Sequence, residues 1–279
     1  MKLGLFGINV GPCADPDGAV RAARAAEEAG LESLWTGEHV VLPDPQAPPS
    51  PAPPEMPFLD PTVALTYVAA ATERIRLGTG IIILPQRNPL VLAKELASLD
   101  VLSRGRLLFG FGIGYLEAEF RALGIPFTAK GPRAEDYLAA MIAVWTQPKP
   151  EHTGRYAAFS GIQAMPRPVQ RPHPPIHASG MTRASLRRAV RLADGWYGFA
   201  LDVAATARCL EGLREARAEL GRPAGKGELE ISVTPRERLD ASVVERYAEL
   251  GVHRLIVFHP GATVDDVLRS VETTAALLP

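Results

Sequence analysis

The sequence predicts an α/β fold, a single (β/α)8 barrel spanning residues 1–279. Short, continuous apolar runs alternate with helical patterns along the chain, the signature of a parallel sheet covered by helices. Eight such units fit a chain of 279 residues, and eight is the barrel count. A doubly wound open sheet is the rival. It needs a nucleotide loop after its first strand, and there NVGPCADPDG, with Gly7, Gly11 and Gly18, is out of register.

The elements follow in order. Leu3–Val10 reads as the first strand, and Asp15-Pro16 supplies an N-cap and a first-turn proline for a helix over Ala19–Ala29, stopped by Gly30. Leu31–Thr36 is the second strand, and Asp60-Pro61 repeats the helix start, running to Ala71. The third unit pairs Ile75–Leu84 with Pro89–Leu102. The fourth pairs Leu107–Ile113 with Ala134–Trp145. Pro175–Ser179 and Thr182–Ala193 make the fifth, Gly195–Phe199 and Val203–Leu220 the sixth. Leu229–Thr234 and Ala241–Leu250 make the seventh, His253–Phe258 and Val264–Leu278 the eighth.

Two segments interrupt the rhythm. Residues 43–57, PDPQAPPSPAPPEMP, are dense in proline. As an interdomain linker they would leave units that cannot close a barrel, so they read as a stiffened lid over the catalytic mouth. Residues 147–174 read as an insertion between unit 4 and strand 5, a hairpin followed by extended chain, expected at the same face.

Composition narrows the function classes. Apolar content is 47% and the formal net charge is −1, so neither disorder nor nucleic-acid binding is indicated. The arginines of 183–191 and 208–217 fall at helical spacing and read as a solvated face. No apolar run approaches the ~20 residues of a membrane span, and MKLGLFGINV is a strand rather than a signal peptide. Cys13 and Cys209, with no C-x-x-C, suit a reducing cytoplasm. No metal-ligand spacing and no nucleophile elbow appears.

Barrel sites lie at the C-terminal ends of the strands. Strand 4 ends FGFGIGY, with Gly110, Gly112 and Gly114 on alternate residues, and strand 3 carries Gly78 and Gly80. Side chains alternate along a strand, so both strands present a bare face. Either a flat ring fills the slot, or neighbouring elements pack closely there. Ala178, Ser179, Gly180, Met181 and Thr182 lead from strand 5 into a helix N-terminus, where free N–H groups and the dipole suit an anion, with Arg183 able to add charge. A phosphate tail at that helix and a ring at strands 3 and 4 together describe a flavin-type cofactor.

LWTGEHVVLP, ERIRLGTGIIILPQRNPLVLAKELASLDVLSRGRLLFGFGIGY and IHASG…ADGWYGF resemble the luciferase-like superfamily of flavin and deazaflavin enzymes, most of all its compact members that use coenzyme F-420. The resemblance implies that His39 faces the reactive ring, that Glu38 holds a place often taken by aspartate, and that Gly80–Ile81 is a non-prolyl cis peptide behind the ring. It implies that Thr79, Gly80 and Ile81, with Gly112, Ile113 and Gly114, border the ring, that Ala178–Thr182 hold the phosphate, and that the chain forms a homodimer. Some sugar-phosphate dehydrogenases of this group have glutamate directly after the strand 4 glycine. Here Tyr115 stands there, with Glu117 and Glu119 further on.

The leading expectation is hydride transfer between coenzyme F-420 and a small organic substrate. His39 is the proton relay, since imidazole as a class titrates near neutrality; Tyr115 and Glu38 are secondary candidates. His177 reads as structural and His259 as open. A reduced-FMN monooxygenase using dioxygen is the alternative. A non-redox lyase or isomerase, with its phosphate at VTPRER or FHPGAT after strands 7 and 8, is a third reading, and a non-catalytic flavin-binding barrel a fourth.

Overall fold

The computed structural model describes residues 1–259 and 261–278. Eight parallel strands close into a barrel: β1 (Lys2–Phe6), β2 (Ser33–Thr36), β3 (Arg76–Thr79), β4 (Leu107–Gly112), β5 (Ile176–Ser179), β6 (Gly195–Leu201), β7 (Glu230–Pro235) and β8 (Arg254–Phe258). They pair in the order β3-β2-β1-β8-β7-β6-β5-β4, and β3 returns to β4 through Leu77↔Leu107 and Gly78↔Leu108. Around them lie α1 (Pro16–Glu28), α2 (Pro61–Ala69), α3 (Pro89–Leu102), α4 (Glu117–Ala122), α5 (Lys130–Thr146), α6 (Arg183–Leu192), α7 (Val203–Leu220), α8 (Ala241–Glu249) and α9 (Val264–Ala275).

The proline-led helices start where polar caps stand. Asp15 accepts from Asp17 and Gly18 N–H, Asp60 from Thr62 and Val63 N–H, and Asn88 from Leu90 and Val91 N–H, each followed by proline at the first helical position. The predicted third strand is broken. It stops at Thr79, passes the cis peptide Gly80–Ile81 that the resemblance implies, and resumes over Ile82–Ile83.

The insertion leaves and re-enters the barrel at its floor, while its hairpin runs back beside the first half of α5. Its hairpin, His152–Thr153 against Ala158–Phe159, is held by Asp136 of α5, which engages His152 Nε2 (2.7 Å) and the N–H of Tyr156 and Ala157. Its distal part reaches Asp100 and β4: Val169 and Gln170 N–H donate to Asp100 Oδ2, and Gln170 Nε2 donates to Leu107 O. A helix of a β/α unit returns the chain to the strand N-termini, so a segment inserted after α5 starts at the floor, away from the mouth. The proline-rich 43–57 segment does leave from the mouth end of β2, and Pro57 O accepts from Gly11 N–H in the loop after β1.

Inside the barrel the side chains form layers. At the floor Arg254 pairs with Glu32 (2.7 Å) and Glu230 (2.9 Å), and fully buried His177 lies 3.4 Å from Glu230. Above it Trp35 stacks on Tyr197 at 5.4 Å, beside Leu108 and Ile256. Burial, with the Arg254 guanidinium nearby, lowers His177 from 6.5 to about 4. A histidine neutral in the folded state and protonated in the unfolded one supports stability above its unfolded pKa. That support is lost as pH falls from 6.5 towards 4, by about 2 kcal/mol between pH 7 and pH 5. Urea unfolding at the two pH values should show this loss, and His177→Asn should flatten it.

Candidate active site

The mouth is built by the segments leaving β2, β3, β4 and β5. Gly37 and His39 follow β2. Asn9, from the loop after β1, fixes that turn by donating to Gly37 O (2.8 Å) and accepting from Gly37 N–H (2.9 Å). His39 stands edge-on to Phe58 (5.6 Å) and to Tyr115 (5.9 Å). Its Nδ1 is 3.3 Å from Glu119 Oε2, and its Nε2 is 3.4 Å from the Tyr115 hydroxyl. The other Glu119 oxygen accepts from Val40 N–H at 2.6 Å. Burial by itself would raise the Glu119 carboxyl, but His39 and the Val40 N–H hold it below the usual range. An ionised carboxylate only accepts, so His39 Nδ1 carries a proton and Nε2 is free to accept from Tyr115. Burial and the charge of Glu119 push the half-exposed Tyr115 phenol up, which keeps it a donor. The result is a carboxylate–imidazole–phenol chain reaching solvent.

Glu119 carries no role in the sequence reading. It lies eighty positions from His39, on a six-residue helix with no side-chain cap at Leu116. The one signal in the sequence is its place with Glu117 among the acidic residues that follow Tyr115.

Glu38 is set apart from this chain. Its carboxylate is buried, accepting from the N–H of Ile83 and from Arg87, whose Nε is 2.9 Å away. Arg87 also reaches Asp60 Oδ2 at 2.6 Å. Burial pushes Glu38 up and the Arg87 guanidinium opposes it. With both oxygens engaged, Glu38 ties the β2 exit to the turn after β3 and to the start of α2, and it has no atom directed to the relay. His177 is on the barrel floor. Buried His259 faces Gly7, its Nε2 3.4 Å from Gly7 O. Of FHPGAT, Pro260 lies outside the described residues.

The strand glycines do not leave a hollow. A Cβ on Gly78 would lie 2.5 Å from Cε3 of Trp35, one on Gly110 would run into the Thr79 carbonyl oxygen, and one on Gly112 would lie 2.6 Å from Ile81 Cδ1. At Gly114, whose φ is +73°, it would meet Phe120 and Ile83. Their missing side chains are replaced by Trp35 in the interior, by the β3 backbone and by Ile81 at the rim. Close packing, the other reading of the pattern, accounts for them. Thr79 completes the seam: its hydroxyl donates to Gly110 O (2.7 Å) and accepts from Gly110 N–H (2.8 Å). Ile81 and Ile113 stay partly exposed at the rim.

At the end of β5 the chain turns through Gly180 (φ +123°) into α6. Trp196 Nε1 donates to Gly180 O at 2.9 Å, and Thr182 caps the helix by accepting from Ser185 N–H. The N–H groups of Arg183 and Ala184 have no acceptor among the described residues, and neither has the Ser179 hydroxyl. Met181 is exposed beside them and Ala178 is buried behind. Arg183 turns away and pairs with Glu219 of α7 at 2.5 Å. Unsatisfied N–H groups at a helix start fit a phosphate. Ser179, Gly180, Met181 and Thr182 are the residues that would hold one. No cluster of three metal-ligating side chains occurs among the described residues, nor any helix long and apolar enough to cross a membrane.

Comparison with known proteins agrees with this architecture. The profile of a family described as luciferase-like monooxygenase matches residues 4–271. An uncharacterised Mycobacterium tuberculosis protein is 33% identical over 269 residues, covering 92% of each chain. A Pseudomonas putida FMNH2-dependent dimethylsulfone monooxygenase is 34% identical over 131 residues, 46% of this chain and 36% of that protein. The structure of a coenzyme F-420-dependent secondary alcohol dehydrogenase superimposes with a TM-score of 0.80 at 16% identity, covering 100% of this chain and 99% of the other.

Proposed function

From the premise that this chain belongs to the luciferase-like monooxygenase family, we propose that it is a coenzyme F-420-dependent oxidoreductase moving a hydride to or from a small organic substrate. The supporting observation is the end-to-end superposition on the F-420-dependent dehydrogenase. A reduced-FMN monooxygenase is the second reading, because a Streptomyces bottropensis monooxygenase superimposes over the same length with a TM-score of 0.78 and the FMNH2-dependent monooxygenase is closer in sequence over its shorter alignment.

When bound, a deazaflavin supplies a two-electron hydride carrier. The chain's own residues do the rest. Ser179, Gly180, Met181 and Thr182 hold the phosphate at the start of α6. Thr79, Gly80 and Ile81, with Gly112, Ile113 and Gly114, form the rim that orients the ring, Ile81 being the side chain that meets it. His39 moves the proton through Nε2, Glu119 fixes its tautomer and orientation, and Tyr115 links it to solvent. Glu38 holds the segment bearing His39 in place through Arg87 and Ile83.

Val63 and Tyr67 of α2 and Val91 of α3 expose apolar side chains, which supports a homodimer. Cys13 and Cys209, both unpaired and buried, suit the reducing cytoplasm.

Separate titrations with oxidised F-420 and with FMN test the cofactor. F-420 should bind at least about tenfold more tightly, a difference of about 1.4 kcal/mol. Tighter binding of FMN transfers the assignment to the monooxygenase reading. Binding of neither removes the redox function.

A further inference from the structure

The mouth is lopsided. At the level of the last inward-facing position the arc from β2 to β5 carries Gly37, Gly80, Gly112 and Ser179, while β1, β6 and β8 carry Phe6, Phe199 and Phe258. Phe6 and Phe258 are register partners on adjacent strands, with ring centroids 5.7 Å apart. Phe6 and Phe199 come within 5.0 Å although β8 and β7 separate their strands. Strands that are not neighbours can touch this way only through the barrel lumen, so these rings point inward and roof the Trp35–Tyr197 layer.

The roof is not closed. Phe199 is 43% exposed and Phe258 47% exposed, two large aromatic faces left to solvent at the place where barrel chemistry occurs. Their presentation is built into the backbone. Pairing of β6 with β7 runs Gly198↔Val233 and then Leu201↔Pro235, so β6 holds one extra residue at Phe199-Ala200. Ala200 sits at φ +54°, a left-handed conformation unfavourable for a non-glycine residue. Bulges at barrel rims re-aim side chains, and this one brings two successive residues, Phe199 and Ala200, to the surface. The cations that follow β7, Arg236 and Arg238, line a groove of about 780 Å³ against α9, and Phe258 lines it with them.

We propose that Phe199 and Phe258, backed by Phe6, form the substrate wall of this mouth, and that the part of the substrate that lies against it is a flat, apolar ring system. The inference rests on the redox reading above for the substrate's orientation, with its reacting carbon towards His39. Tilted aromatic rings at these spacings offer faces and edges to a planar ligand, and the three ring side chains themselves carry no charge, the nearest cations after β7 being on the far side of Phe258 in the shared groove. Phe199→Ala and Phe258→Ala remove half-exposed side chains, so both variants should fold.

The test is calorimetric binding to the cofactor-free protein of 2-naphthol, 1-octanol and glucose 6-phosphate. 2-Naphthol should bind most tightly, and the double variant should lose at least about tenfold in its affinity with F-420 and FMN titrations unchanged. Octanol binding as tight as naphthol, preference for glucose 6-phosphate, or an unaltered naphthol affinity in the double variant overturns the proposal. Failure to bind either coenzyme while the naphthol result holds overturns the redox reading and leaves the wall.

Discussion

Replacing His39 with alanine is expected to reduce turnover by about a hundred- to ten-thousand-fold, the range for loss of a positioned acid–base group. Coenzyme affinity should stay within about twofold, because none of the phosphate-holding residues at α6 touches His39. Glu119→Gln is the sharper variant. The glutamine keeps the shape and can still accept from Val40 N–H through its carbonyl. Its amide then donates where the carboxylate accepted, so Nδ1 must become the acceptor and Nε2 must carry the proton. Tyr115 then faces an N–H instead of a lone pair. Turnover should fall by about ten- to a hundredfold, through kcat rather than KM, with the fold and coenzyme affinity intact. Glu119→Asp, shorter but still only an acceptor, should recover part of the loss. Tyr115→Phe should cost less than either, since water can replace an exposed hydroxyl. Unchanged kcat in Glu119→Gln removes the tautomer argument, and unchanged kcat in His39→Ala removes the relay altogether.

Much of the fold is legible because its signals are local. Asp15-Pro16, Asp60-Pro61 and Asn88-Pro89 each mark a helix start within two residues, and alternating runs count the strands. What is not legible depends on contacts distant in sequence. The α4 helix has no capping side chain, so Glu119 looks like one more surface acid until the fold brings it to His39. The placement of residues 147–174 follows from topology: a segment after a helix begins at the floor, and Asp100 receives it there. The phenylalanine cluster is invisible to any local window, since Phe6 and Phe199 are distant in sequence and meet across the lumen.

The glycines of β3 and β4 show how a correct pattern can carry the wrong cause, and Gly110→Ala separates the causes. A Cβ there runs into the Thr79 carbonyl oxygen, which belongs to backbone and cannot rotate away. Thr79 and Gly110 also exchange two hydrogen bonds through the threonine hydroxyl, and the β3–β4 seam they reinforce has just two register pairs. Moving Thr79 aside therefore disturbs the pairing that closes the barrel between β3 and β4. The expected loss is about 3 kcal/mol or more, at the upper end for overpacking, read as a drop in urea midpoint or absence of soluble protein. Gly227→Ala, with nothing within 4 Å of the added methyl and no positive φ, should leave the midpoint unchanged. Gly112→Ala meets the end of the Ile81 side chain, which can turn, so its loss should be about 1 kcal/mol. If Gly110→Ala unfolds as the wild type does, the seam argument fails. If Gly112→Ala folds normally yet no longer binds coenzyme, bare backbone at β4 is needed by the ring itself, and the slot that packing has here explained away would return.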